Sequence, residues 1–289
     1  MTAPDARAID REEAALEKLA FDAAQKAVQV HAASFAHAKG QRLVIEKKST
    51  AIDLVTAVDR DAERAVLDVL RASDVPVVGE EGGLVGTAGK GAVWYVDPLD
   101  GTTNYAHGHP MFCVSVGLAI DGVPRLGVVW AWALSVVWRG TNTRATRLHT
   151  ASSGEHAIGV SPAESLEESL LVTGFPVDRR TSSDDNLAAF GAIMKRAHGV
   201  LRCGSAAIDL CMVADGTYEG YWERKLRPWD FAAGAALVLG SGGRVTDPWG
   251  RPFRVESGNV LATNGRVHEE LRLALAPHLP AAPPELTGP

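Results

Sequence analysis

The sequence predicts an α/β (α+β) protein in which a mostly antiparallel sheet with helices is followed by a mixed sheet with helices. Three observations carry this reading: a long helical pattern near the start, paired apolar runs in the first half, and alternating strands and helices in the second. The 289 residues suffice for one large domain or two closely packed halves with a sizeable core. We divide them as 1–145, an α+β half; 146–276, an α/β half; and 277–289, a loose tail rich in Pro and Ala. Composition marks no linker between the halves.

From about Arg11 to Phe35, Leu16, Leu19, Ala20, Ala23 and Ala27 recur at helical spacing and predict an amphipathic helix. Val58, Ala62, Val66 and Val69 mark a second, with Thr56 and Asp59 in the form of a capping box. Pro76 to Gly83 reads as a short strand running into Glu80 and Glu81. The segment GLVGTAGKG that follows has phosphate-loop glycines at the wrong spacing, with Gly91 after Lys90 and a strand next, so it reads as a flexible loop. Phe112 to Ile120 and Pro124 to Trp132 flank Asp121 and Gly122 as a hairpin, and Leu134 to Arg139 adds a strand. The second half alternates: strand near Leu170 to Thr173, helix near Asn186 to His198, helix after Gly204, strand Tyr218 to Glu223, helix Asp230 to Leu239, strand Val260 to Thr263 and helix Val267 to Leu275.

Between these halves lies the stretch AVWYVDPLDGTTN, Ala92 to Asn104. An apolar run suited to a strand buried on both faces ends in Asp97 and Asp100. Pro98, lacking an amide proton, is expected to end the ladder behind Asp97. Gly101 permits close backbone approach, and Thr102 and Thr103 add hydroxyls beside free amides. Hard oxygen ligands next to backbone donors are what a divalent cation bridged to a phosphate wants. Asp-Pro and Asp-Gly are also ordinary turn dipeptides. Two further acidic positions weigh against a plain turn: Glu80 in PVVGEEGG and Asp230 in RPWDFAAG. Separately, Asp230 could cap its helix and Glu80 could be solvated; together the four could converge.

The eight residues Asp97 to Asn104 match in order the signature of the inositol monophosphatase family, which this chain resembles from Lys48 to about Gly243. The resemblance implies a layered αβαβα sandwich of the sugar-phosphatase type and a homodimer. It implies Mg2+ as cofactor, held by the side chains of Glu80, Asp97, Asp100 and Asp230 and the carbonyl of Leu99. The implied reaction is hydrolysis of a phosphate monoester, inositol monophosphate or a similar small polyol or sugar phosphate, by a metal-activated water. By the same resemblance Thr102, supported by Glu80 and Asp59, orients that water, with capping by Asp59 as an equal competitor. Phosphate rests on the Gly101 and Thr102 amides, and hydroxyls are read by Asp100, by Gly204, Ser205 and Ala206, and by Glu223, for which an exposed strand-end role is the lesser alternative. Lys48 fits a supporting ion pair better than substrate contact, and Trp229 fits packing beside the loop. Lithium sensitivity is implied as well.

Other readings fit less well. An aspartyl-phosphate enzyme wants Asp-x-Asp, whereas this chain has Asp-x-x-Asp. No H-E-x-x-H or Cys/His cluster suggests zinc, and His107 and His109 read as surface residues. There is no G-x-S-x-G elbow. A formal net charge of −6 without a dense Lys/Arg block argues against a nucleic-acid or anionic membrane surface. Cys113, Cys203 and Cys211 form no C-x-x-C pair, the acidic N-terminus is no secretory signal, and no run reaches the roughly 18 apolar residues of a membrane span; a cytoplasmic protein with reduced thiols is expected. Within the family, histidinol phosphate, fructose 1,6-bisphosphate or a nucleotide phosphate are alternative substrates, and a non-catalytic interaction protein is a reading of another class. Gly240 and Ser241, where many relatives carry Glu-Ala, and Arg227 near the substrate side are departures; the first points to packing and the second leaves the substrate open.

Overall fold

The computed structural model describes residues 6–37, 46–47, 54–55, 57–86, 91–151 and 154–283. Its elements run α1 Ala6–His37, β1 Glu46–Lys47, β2 Leu54–Val55, α2 Ala57–Leu70, β3 Val77–Gly79, β4 Gly83–Val85, β5 Ala92–Asp100, α3 Thr102–Ala106, β6 Cys113–Ile120, β7 Val123–Ala131, β8 Val136–Thr141, β9 Arg144–His149 and β10 Glu155–Ala157. The second half continues with β11 Leu170–Thr173, α4 Leu187–Met194, β12 Gly199–Leu201, α5 Ala206–Ala214, β13 Gly220–Arg224, α6 Pro228–Gly240, β14 Arg244–Thr246, β15 Asn259–Thr263 and α7 His268–Leu275.

One sheet has the order β10-β9-β8-β7-β6-β5-β3-β4 and is antiparallel except where β3 runs parallel to β5. The other has the order β12-β11-β13-β15-β14, parallel at β12, β11 and β13 and antiparallel beyond. Hydrophobic burial makes these sheets into layers. Ala20, Ala23, Ala24 and Ala27 of α1 and Ala62, Val66 and Leu70 of α2 bury against Trp94, Val96, Val116 and Val128 on one face of the first sheet. Its other face packs on α5 and α6, which also cover Tyr221, Val260 and Ala262 of the second sheet. The remaining face of that sheet buries Trp222 and Leu261 against Ile193 of α4 and Leu271 of α7. The order is therefore αβαβα, and the small side chains of α1 let two helices share one sheet face at close range.

Close approach is sharpest under α6. Gly117 of β6 and Gly127 of β7 are cross-strand partners. A Cβ at Gly117 would lie 2.6 Å from Ala233 N, and one at Gly127 would lie 2.3 Å from Ala233 O. Removing both side chains lets the helix backbone rest on the sheet, which fixes where its N-terminus ends up. At the other end of α6 a Cβ at Gly240 would meet Thr141 O at 2.1 Å, so the packing there leaves no room for a side chain.

Several expectations are corrected. Pro98 does not end the ladder: pairing with β6 breaks after Asp97↔Ser115 and resumes at Asp100↔Cys113, so the proline makes a bulge that turns two carboxylates out of one strand. The segment read as a flexible loop begins as a strand, β4, while residues 87–90 lie outside the described residues. The strand expected from Leu134 starts at Val136, after a 3-10 turn closed by Ser135 with φ 58°. The helix expected from Asn186 to His198 is shorter, Leu187–Met194. The tail is tied down as far as Pro283, since Trp249 Nε1 donates to Pro280 O and Arg251 to Pro283 O. Thr56 and Lys48 lie outside the described residues. No helix among the described residues is long and apolar enough to cross a membrane.

Candidate active site

The parallel pair β3–β5 puts Gly79 opposite Val96, and Glu80 N donates to Val96 O at 3.3 Å. Glu80 thus leaves the sheet beside Asp97. In the same strand Asp97 Oδ1 accepts the Leu99 amide at 2.9 Å, closing an Asx turn over Pro98. Leu99 is 1 % exposed against Tyr105 and Phe112, and its carbonyl accepts Thr102 Oγ1 at 3.0 Å. Gly101 has φ 86°, and a Cβ there would stand 2.7 Å from Met111 O; only glycine fits. Helix α3 starts at once, so the amides of Thr102 and Thr103 have no partner within it and can face an anion.

Two further elements reach this loop from the second half. Asp100 Oδ2 accepts Ser205 Oγ at 2.6 Å and the Ala207 amide at 2.8 Å, at the first turn of α5, where Ser205 is also the cap, accepting Ile208 N at 3.3 Å. Asn104 Nδ2 donates to Met111 O at 2.6 Å and Cys203 O at 2.9 Å, which ties the loop to the segment before α5. From above, α6 delivers Asp230: Ser115 Oγ, opposite Asp97 in the sheet, donates to Trp229 O at 3.3 Å. Asp230 sits in the first turn of α6 and its Oδ2 accepts the Arg227 amide at 2.7 Å, so it does cap, with one oxygen.

Electrostatics record the convergence. Burial, then the charges of Glu80, Asp100 and Asp230, push Asp97 well above the usual carboxylate range, against the pull of the Leu99 amide. Asp100 is pushed up to about 6, chiefly by burial, although Ser205 and Ala207 hold it down. Burial raises Asp230 too, with Asp100, Glu80 and Glu223 adding to it. Glu223, on β13, rises to about 7 through burial while Tyr221 and Arg202 pull it back. Tyr221 Oη donates to its Oε2 at 2.6 Å, and a Cβ at Gly174 would sit 1.9 Å from the same oxygen.

Buried like charges raise one another's proton affinity unless a cation joins them. No Lys or Arg forms an ion pair with Asp97, Asp100 or Asp230 among the described residues. Among the described residues no three or more His, Cys, Asp or Glu side chains are already gathered closely enough to hold a metal ion. Each of the three aspartates has one oxygen occupied by a protein donor. An all-oxygen, incomplete set suits magnesium, which keeps several waters, and does not suit zinc.

The structure thus brings Glu80, Asp97, Leu99, Asp100, Gly101, Thr102, Gly204, Ser205, Ala206, Glu223 and Asp230 to one region. Asp59, 3 % exposed in the first turn of α2, lies near Tyr105, three residues beyond Thr102. His107 and His109 are exposed. Three participants escaped the sequence reading. Tyr221 stands two residues before Glu223 and so on the same strand face, a signal that was available. Asn104 belongs to the matched signature, but its bridging role depends on a partner 99 residues away. Asp209, 2 % exposed with Oδ1 unbonded, is pushed well above the usual carboxylate range by burial and by the charge of Glu223; a carboxylate inside the apolar run AAIDLCMVA was its signal.

Comparison with known proteins gives a consistent picture. The family model described as "Inositol monophosphatase family" matches residues 12–281. An inositol-1-monophosphatase of Synechocystis sp. is 43% identical over 234 residues, covering 80% of each chain. A Nus factor SuhB of Pseudomonas aeruginosa is 40% identical over 234 residues, covering 79% of this chain and 84% of that one. The structure of inositol monophosphatase from Anabaena (Nostoc) sp. superposes with a TM-score of 0.77 at 38% identity, covering 92% of this chain and 96% of that one.

Proposed function

The chain belongs to the inositol monophosphatase family, and from that membership we propose that it is a magnesium-dependent phosphomonoesterase. Its proposed substrate is inositol monophosphate or a similar small polyol or sugar phosphate, and its proposed setting a cytoplasmic homodimer. The observation that carries the proposal is the meeting of Glu80, Asp97, Asp100 and Asp230 beside the Gly101–Thr102 amides, with burial raising the three aspartates and no Lys or Arg paired to them among the described residues.

In this reading Glu80, Asp97, Asp100, Asp230 and the Leu99 carbonyl hold Mg2+. When bound, the ion lowers the pKa of the attacking water and neutralises charge on the phosphoryl group and leaving oxygen. Thr102 orients that water through the hydroxyl it already directs at Leu99 O, with Glu80 and Asp59 in support. The Gly101 and Thr102 amides seat phosphate at the start of α3. Asp100, the Gly204–Ser205–Ala206 corner and Glu223 read hydroxyls; Tyr221 fixes Glu223 in place for that task. Lithium inhibition belongs to the same reading.

The test is turnover by the purified protein with magnesium on a panel holding inositol 1-phosphate, histidinol phosphate, fructose 1,6-bisphosphate and a nucleoside monophosphate. Preferential release of phosphate from the polyol ester supports the proposal, and preference for another ester moves the substrate within the family. Likeness to proteins named Nus factor SuhB supports a second reading, a role as a protein partner. It gains if no ester on the panel is hydrolysed.

A further inference from the structure

The turn that carries Glu80 is held by a carboxylate with no part in the chemistry above. Glu63 lies on α2, one helical turn beyond Asp59, and is 5 % exposed. Its Oε1 accepts the Glu81 amide at 3.0 Å, and the Gly82 amide is the other backbone donor facing it. The glycines on either side of Glu80–Glu81 make room for it. A Cβ at Gly79 would lie 2.0 Å from Glu63 Oε1, and one at Gly82 would lie 3.1 Å from Oε2. Neither glycine has a positive φ, so neither is required by backbone conformation. What they share is the carboxylate between them.

We infer that Glu63 is a positioning residue: from helix α2 its carboxylate gathers the amides of the Gly79–Gly82 turn and so aims Glu80 at Asp97. The inference rests on the proposed role of Glu80 as a cation ligand. Glu80 is held by its own amide on Val96 O and by the neighbouring amide on Glu63, one from the sheet and one from the helix. Loss of the Glu63 contact leaves the strand register in place and loosens the turn that directs Glu80. Groups that orient a ligand from behind commonly govern metal affinity by about 10–100-fold.

The experiment is calorimetric titration of the substrate-free protein with Mn2+, alongside amide hydrogen exchange and thermal melting. Glu63→Ala is expected to weaken Mn2+ binding about tenfold and to speed exchange at the Glu81 amide, while melting stays within a few degrees of the parent. Glu63→Gln keeps an acceptor for that amide and is expected to restore affinity to within about threefold. Gly79→Ala, which leaves Glu63 in place but drives its carboxylate aside, is expected to act like Glu63→Ala and stands in for it should that variant not fold. Unchanged affinity in folded Glu63→Ala and Gly79→Ala, with Asp97→Asn abolishing binding, overturns the positioning role alone. Absence of Mn2+ binding by the parent overturns both this role and the magnesium reading.

Discussion

Replacing Ser205 by Ala removes one atom that serves both halves of the molecule. Its Oγ donates to Asp100 Oδ2 at 2.6 Å and accepts the Ile208 amide at 3.3 Å, and the residue is 1 % exposed. A hydrogen bond to a charged group contributes about 1.5–3 kcal/mol. Asp100 keeps the Ala207 amide, so the lower end, about 1.5 kcal/mol, applies. Loss of the α5 cap adds about 1 kcal/mol. The expected destabilisation is therefore about 2.5 kcal/mol, a melting shift of roughly 5–10 °C for a domain of this size. Urea unfolding of the metal-free protein measures it, with Ser205→Thr, which keeps the hydroxyl, as the comparison. A loss below about 0.5 kcal/mol in Ser205→Ala would show that Asp100 and the helix start are not joined through this hydroxyl.

Other changes probe different parts of the argument. Asp97→Asn should all but abolish magnesium-dependent phosphate release while the metal-free protein melts no lower than the parent, because a neutral group replaces a buried, repelled carboxylate; steady-state kinetics and calorimetry read the two effects. Gly127→Ala drives a methyl into the backbone of α6, whose Ala233 O lies 2.3 Å from the new Cβ, and should cost about 1–3 kcal/mol and part of the activity, by denaturant melts and turnover. His268 sits buried between Thr246 and Thr263, and burial lowers it from 6.5 to about 4. The fold needs the neutral ring, so this stability is complete above about pH 6.5. It falls by at most about 1.4 kcal/mol per pH unit as pH drops from 6.5 towards 4. His268→Gln should flatten that part of a stability-versus-pH curve, and an unchanged slope would count against the buried neutral histidine.

The run Ala92 to Asn104 was legible because each of its features is local. An apolar run, a glycine that permits close backbone approach and two aspartates can be read without knowing what lies across from them. The same holds for the apolar faces of α1 and α2, whose periods follow from helix geometry. Pro98 was misread for a reason of the same kind. A missing amide proton predicts a lost bond, but β6 supplies a partner that re-registers at Cys113, so the strand survives with a bulge. Short strands such as Gly199–Leu201 and Arg244–Thr246 left no pattern, since three residues cannot show a period and their pairing energy comes from neighbours.

By itself, then, the sequence determined the acidic loop, its family signature, the kind of cation that would suit it and the elements on either side. Only the tertiary structure decided which carboxylates act on one another's charge. Glu80 reaches Asp97 through a parallel strand register, Asp230 through a helix resting on paired glycines, and Glu63 reaches the Glu80 turn from another helix. The physical reason is that propensity and periodicity act over a few residues, whereas burial raises a carboxylate's proton affinity, and an amide holds it, only through groups that packing brings near from far along the chain.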